Sequence, residues 1–218
     1  LTDLTIQLAG ESLCLLPERA LYWPRAETLF IADAHWGKAA AFRASALPIP
    51  ETREDDLLRL DCILERTGAR RLILLGDLLH AKASRTDDAL SAFVAWRETH
   101  VALDVLLIRG NHDRRAGDPP ESWRVECADA PTLCAPFVLQ HEPAEPRSGY
   151  ALAGHIHPGA VLFGAGRQQL KLPCFWFGAK VGVLPAFGSF TGTVGIRAQE
   201  GDRVYVIAEN IVIAVGKT

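Results

Sequence analysis

Three apolar runs set the pattern of this chain. Leu29-Phe30-Ile31-Ala32, Leu72-Ile73-Leu74-Leu75 and Val105-Leu106-Leu107-Ile108 are apolar at successive positions, the mark of strands buried on both faces. Segments of helical period lie between them. Over Glu51 to Thr67, residues Leu57, Leu60, Ile63 and Leu64 recur at helical spacing, with acidic residues in the first turn and Gly68 after the end. Asp87 to His100 is predicted as a second helix, with Leu90, Phe93, Val94 and Val101 on one face. An alanine-rich stretch from Trp36 to Ala46 is a third predicted helix, stopped by Pro48-Ile49-Pro50. Strand, helix, strand, helix, strand implies an α/β sheet whose carboxyl edge carries the site.

The flanking segments differ. Leu4 to Leu8, Ser12 to Leu16 and Ala20 to Trp23 are predicted short strands broken by Gly10, Pro17 and Pro24. Beyond the third run, Trp123–Cys127, Phe137–His141, Tyr150–Gly154, Leu170–Phe177 and Val204–Ile207 are predicted strands with little helical pattern between them. No linker or repeat interrupts the chain, so residues 1–218 are expected to form one domain with a second, β-rich layer.

Composition narrows the class. Of 218 residues 49% are apolar and 22% charged, ordinary for a globular protein, and the net charge of −3 gives no global basic field for nucleic acid. No apolar run reaches the roughly 18 residues of a membrane span, and no signal-peptide pattern is present, so a cytoplasmic location is expected. The five cysteines, Cys14, Cys62, Cys127, Cys134 and Cys174, include no C-x-x-C pair. They are expected to be buried free thiols, with Cys127 and Cys134 the one conceivable hairpin pair.

The chemistry gathers where the apolar runs stop. Asp33-Ala34-His35 follows the first, Gly76-Asp77-Leu78-Leu79-His80 the second and Gly110-Asn111-His112-Asp113 the third. His141 and Gly154-His155-Ile156-His157 follow two later strands, so only His100 of the seven histidines stands apart. Residues two apart in an extended segment point the same way, so Asp33 with His35, and His155 with His157, can each bind one ion. Two carboxylates, one amide and four imidazoles are too many for one tetrahedral zinc. They suit two ions sharing a carboxylate, and oxygen with imidazole suits manganese, iron or zinc. Gly188-Ser189-Phe190-Thr191-Gly192 lacks the lysine and helix of a phosphate-binding P-loop and is expected to be a tight turn near the site or a strand bulge. Lys38, Arg43, Arg114 and Arg115 are candidates for flanking phosphates, His80 for an auxiliary role, and Trp36, Phe42 and Trp123 for base stacking or packing.

The five motifs, in this order, resemble the calcineurin-type metallophosphoesterases. The resemblance implies a four-layer α-β-β-α sandwich with mixed sheets. It implies that Asp33, His35 and His157 hold one divalent metal, that Asn111, His141 and His155 hold a second, and that Asp77 bridges them. It makes His112 a proton donor to the leaving oxygen, aimed by Asp113. Leu15 to Pro24, His35-Trp36-Gly37-Lys38, Phe42-Arg43, His141-Glu142-Pro143, Gly154 to Pro158 and Leu184 to Gly192 further resemble the bacterial ligase-associated DNA-damage-response phosphoesterases. That group implies a manganese-dependent phosphodiesterase and endonuclease acting on single-stranded or nicked DNA, linked to a DNA ligase, a helicase and an exonuclease. A homodimer is compatible with it. The alternatives are a phosphoesterase for a small nucleotide or lipid-linked phosphate, and a non-catalytic scaffold, which the intact ligand set disfavours.

Overall fold

A computed structural model describes residues 1–36, 53–79, 87–164, 166 and 168–215. The predicted helix over 36–46, its proline stop, Lys38, Arg43, Phe42 and His80 lie outside the described residues, Trp36 excepted.

The first sheet runs in chain order: β1 (Leu4–Leu8), β2 (Glu11–Leu16), β3 (Ala20–Trp23), β4 (Thr28–Ile31), β5 (Arg71–Leu74), β6 (Asp104–Ile108) and β7 (Glu126–Ala128). Strands β1 to β4 form an antiparallel meander, and β4 to β7 are parallel. The change occurs where helices begin to intervene, since parallel neighbours need a crossover. Helices α1 (Arg53–Thr67) and α2 (Asp87–Thr99) supply two of these crossovers.

Alternate residues of the apolar runs enter two different cores. Leu29, Ile31, Leu72, Leu74, Val105 and Leu107 pack under Leu57, Leu60, Ile63 and Leu64 of α1 and Phe93 and Trp96 of α2. Phe30, Ala32, Ile73, Leu75, Leu106 and Ile108 face the second sheet through Phe137, Leu139, Leu152, Phe175 and Phe177. The period of two in the strands therefore separates a helical layer from a sheet layer. Leu58, on the outer face of α1, is 62% exposed.

The second sheet has nine strands and is also mixed. Its path is β14 (Val194–Gly195), β11 (Pro158–Phe163), β12 (Gln169–Phe177), β13 (Val181–Val183), β10 (Tyr150–Ala153), β9 (Phe137–Leu139) and β8 (Thr132–Cys134). The hairpin of β15 (Arg203–Ala208) and β16 (Ile211–Ala214) joins on β12. The pattern along the chain does not signal β8, β11, β13, β14 or β16. Most are three or four residues long, and β11 opens with a proline, which demotes a run to an edge or a strand start. The described residues thus give a mixed α/β fold of two facing sheets, with α1 and α2 on the outer face of the first. None of their helices is long and apolar enough to cross a membrane.

Three local expectations are corrected, and the packing reading of Trp36 and Trp123 holds. Trp123 lies in a 3-10 turn (Glu121–Trp123) rather than a strand, because Pro120 caps the turn and the indole packs 4.2 Å from the Phe93 ring. Trp36 packs 5.0 Å from the same ring, so both tryptophans are buried and neither offers a face to a base. Cys127 pairs with Leu107 in the first sheet and Cys134 with Phe137 in the second, which rules out a shared hairpin. Cys62 is exposed on α1, so only part of the set of free thiols is buried.

Leu107 is fully buried between β5, β7 and the helical layer. Leu107→Ala is expected to cost about 2–5 kcal/mol in urea unfolding. A loss near the ±0.5 kcal/mol typical of surface positions would contradict this packing.

A candidate dinuclear metal centre

The parallel strands end side by side, and the next residues of each carry the polar motifs. Asp33 follows β4 and Asp77 follows β5. After β6 the chain enters α3 (Asn111–Ala116), so Asn111, His112 and Asp113 sit on a first helical turn rather than in a loop. Asp113 makes that turn: as the third helical residue its carboxylate accepts the Gly110 N–H at 2.9 Å, the half of a capping box that a glycine N-cap allows. Gly110 itself is extended, at φ −87°, so left-handed freedom is not the reason for glycine. A Cβ there would stand 2.2 Å from Asp77 Oδ1; at Gly154 one would stand 2.6 Å from Asp33 Oδ2. These glycines admit the carboxylates.

Both carboxylates are divided in the same way. Asp33 Oδ2 accepts the His155 N–H at 2.8 Å, and Asp77 Oδ1 accepts the His112 N–H at 3.0 Å. The other oxygen of each faces imidazoles. Asp33 Oδ1 accepts no hydrogen bond although it is fully buried, and His157 Nε2 stands 3.6 Å from it. His157 Nε2 is 3.3 Å from His35 Nε2. Asp77 Oδ2 lies 3.4 Å from His141 Nε2, 3.8 Å from His35 Nε2 and 4.0 Å from His112 Nε2. His141 Nε2 in turn is 3.0 Å from both Asn111 Oδ1 and His155 Nδ1.

Two groups emerge, Asp33-His35-His157 and Asp77-His141-His155, each with its donor atoms within 4.8 Å of one another. Asn111 joins the second through His141, and Asp77 Oδ2 lies between the two. A third group, His35-Asp77-His112, overlaps both, so geometry alone also allows His112 a ligand position. Donors on one ion at about 2.0–2.2 Å stand roughly 3 Å apart, as these do. A buried carboxylate oxygen without a donor, set among imidazoles, fits a divalent cation held by oxygen and nitrogen.

The electrostatics point the same way. Burial opposes a charge on His141, but the Asp77 carboxylate outweighs it, helped by Asp33 and the Leu75 carbonyl, and its pKa is pushed up to about 9. Burial likewise opposes charge on Asp77, yet the His141 bond, the His112 N–H and nearby His35 hold it below the usual carboxylate range. The two carboxylates thus favour a positive charge at this position. His141 Nδ1 is bonded to the Leu75 carbonyl at 2.9 Å, which fixes the ring with Nε2 facing the cluster.

Asp113 does not aim the His112 ring directly. Its Oδ2 accepts the N–H groups of Asp77 and Gly110, and its Oδ1 those of Leu78 and Leu79, at 2.7–3.3 Å. A carboxylate has about four lone-pair sites, and all four are taken. Burial, the largest influence, raises its pKa. Asp113 therefore locks the Asp77 loop to the start of α3, and it places His112 only through the backbone. Arg114 and Arg115 are exposed on α3, and Arg114 pairs with Asp129 at 3.7 Å. The turn at Gly188 does lie beside the site, its N–H bonded to the Asp33 carbonyl at 3.2 Å. Reading the sequence missed Asp56 and Arg59, which brace that turn through Ser189 and Phe187 and carry no local motif.

A scan against protein-family models finds no match, and a search of curated proteins finds none. Among solved structures, the Pseudomonas putida nuclease MPE superimposes with a TM-score of 0.87 at 42% identity, covering 98% of this chain and 100% of that one. Yfce, a phosphoesterase from E. coli, aligns over 84% of this chain and 88% of that one, at 14% identity and a TM-score of 0.39.

Asp113→Asn keeps the shape but replaces one acceptor oxygen with a donor facing N–H groups. Each N–H left unsatisfied costs about 1–3 kcal/mol. The variant is expected to lose at least that much in chemical denaturation and to bind Mn2+ more weakly in calorimetric titration. Wild-type stability and metal affinity together would show that the four backbone bonds do not hold the loop.

Proposed function

This chain belongs to the calcineurin-like metallophosphoesterases, the family it shares with the Pseudomonas putida nuclease, and we propose that it is a dinuclear-metal phosphodiesterase that cleaves DNA. The observation that carries the reading is the position of Asp77 Oδ2, between His35 of one group and His141 of the other. In this reading Asp33, His35 and His157 hold one ion, Asn111, His141 and His155 hold the other, and Asp77 bridges them. Manganese suits the mixed oxygen and imidazole set, with iron and zinc as alternatives. When bound, the pair supplies an activated water and neutralises the charge on the phosphate oxygens.

The chain's own part lies in His112. Its side chain is partly exposed at the edge of the cluster, and its ring lies edge-on to His35 at 5.1 Å. From there its imidazole can reach the departing oxygen of a bound phosphodiester and protonate it. In this reading Arg114 and Arg115, exposed on the same short helix, bind flanking phosphates.

The substrate we favour is single-stranded or nicked DNA, in a cytoplasmic repair setting with a DNA ligase, a helicase and an exonuclease as functional neighbours. We also read the whole chain as one domain of the four-layer α-β-β-α kind, to which the described residues contribute the two sheets and one helical layer.

Two experiments test this reading. Purified protein with Mn2+ is expected to cut single-stranded or nicked DNA, and Asp77→Ala to abolish the cutting. Brisk hydrolysis of a nucleotide or lipid-linked phosphate with intact DNA would overturn the substrate. His112→Ala is expected to retain its metals but lose DNA cleavage by about 10²–10⁴-fold, the usual contribution of a general acid. A nitrophenyl ester, whose leaving group needs no proton, is expected to suffer much less. Equal losses on both substrates would remove the acid role.

A further inference from the structure

The segment Leu184 to Gly192 holds no ligand or nucleophile of the proposed reaction, yet it lies against the Asp33–His35 loop. That loop takes an unfavourable path: Asp33 and His35 are both left-handed, at φ 53° and 46°. Residues without a glycine's freedom stay there only when their surroundings over-determine them. One side of the loop is held by the Asp77 turn, through Asp33 N–H to Gly76 O, His35 N–H to Asp77 O and Trp36 N–H to Leu78 O, at 2.8–3.1 Å. The other side is held by the late segment. Ala186 bridges Ala32, Phe187 N–H bonds to Ala32 O at 2.7 Å, and Gly188 N–H bonds to Asp33 O at 3.2 Å. Gly188 is pressed so close that a Cβ would stand 2.2 Å from the Ala34 carbonyl oxygen.

What braces this segment is a buried charge on α1. Asp56 is 3% exposed. Its carboxylate accepts the Ser189 N–H at 3.2 Å and the Ser189 hydroxyl at 2.5 Å. Arg59 pairs with Asp56 at 2.9 Å, donates to the Phe187 carbonyl and to Ser189 Oγ, and lies 4.2 Å over the Phe187 ring. Burial raises the pKa of Asp56, against the pull of Arg59 and Ser189. Burying a charge is unfavourable unless it is paired and bonded, and here every partner is either the late segment or the arginine that holds the same segment.

We propose that Asp56 is a positioning residue for the Asp33–His35 loop, acting through Phe187, Gly188 and Ser189, and that it tunes metal binding at the Asp33-His35-His157 group selectively. The inference rests on the reading of those three residues as ligands of one ion. Selectivity follows from the contacts. The brace ends on residues 32–34, whereas Asp77 is held by Asp113 and His141 by the Leu75 carbonyl; of the other group only His155 is tied to the braced loop, through its N–H to Asp33.

Calorimetric titration with Mn2+ alone separates the two ideas. Asp33→Ala is the control and should remove one of two binding events; if it removes neither, the ligand reading fails. Asp56→Asn and Ser189→Ala are then expected to weaken that same event by about 10–100-fold, the range for groups that orient ligands, and to leave the other event in place. Ser189→Ala keeps Asp56 paired with Arg59, so it tests the link without unpairing the buried charge. Asp33→Ala removing an event while both brace variants bind like wild type would overturn the proposal. So would an equal loss at both events in step with a fall in thermal midpoint, which would make Asp56 a general structural residue.

Discussion

Two buried carboxylates, each divided between backbone and imidazole, are the constraint on which this structure turns. One oxygen of Asp33 is tied to the N–H of His155, and one oxygen of Asp77 to the N–H of His112. Each bond joins a motif in one part of the chain to a motif far away in sequence. Asp113 adds the reciprocal tie from α3 back to the Asp77 loop. The oxygens left over face a cluster of imidazoles, and their negative charge favours a cation there. The hydrogen bonds that assemble the site thus also fix which atoms remain to coordinate.

The arrangement is costly for the backbone. Five of the ten non-glycine residues with positive φ among those described are Asp33, His35, Asp77, His155 and His157. Each such conformation costs about 1–3 kcal/mol and persists only under close confinement. For Asp33 and His35 confinement comes from the Asp77 turn on one side and the late Ala186–Ser189 segment on the other. Strain concentrated on the residues proposed to coordinate, and held there by dedicated contacts, is what a preorganised site requires.

Much of this was legible in the sequence because it is local. Continuous apolar runs gave β4, β5 and β6, and polar residues at their ends placed Asp33, Asp77 and Asn111 on one edge. Helical spacing in α1 identified the face that is buried and left Leu58 outside it. What escaped was non-local. The bond from the Gly110 N–H to Asp113 is local, but the clamp of Asp113 on the N–H groups of residues 77 to 79 is invisible near residue 113 itself. Burial of Trp36 and Trp123 follows from their apolar bulk, but the partner they share, the Phe93 ring, comes from a distant helix. Asp56 looked like one more acidic residue in a first helical turn, because its partner Ser189 lies 133 positions away. Short strands such as β13 and β14 take their pairing from neighbours rather than from their own composition.

The likeness to a nuclease over 98% of the chain and the geometry of the cluster converge on phosphodiester chemistry, and the proposed reading depends on Asp77 serving two ions. Anomalous diffraction from crystals grown with Mn2+ measures this directly. Two peaks are expected on either side of Asp77 Oδ2, about 3.5–4 Å apart as in two-metal hydrolases. A single peak, or two peaks neither of which contacts Asp77, would contradict the account.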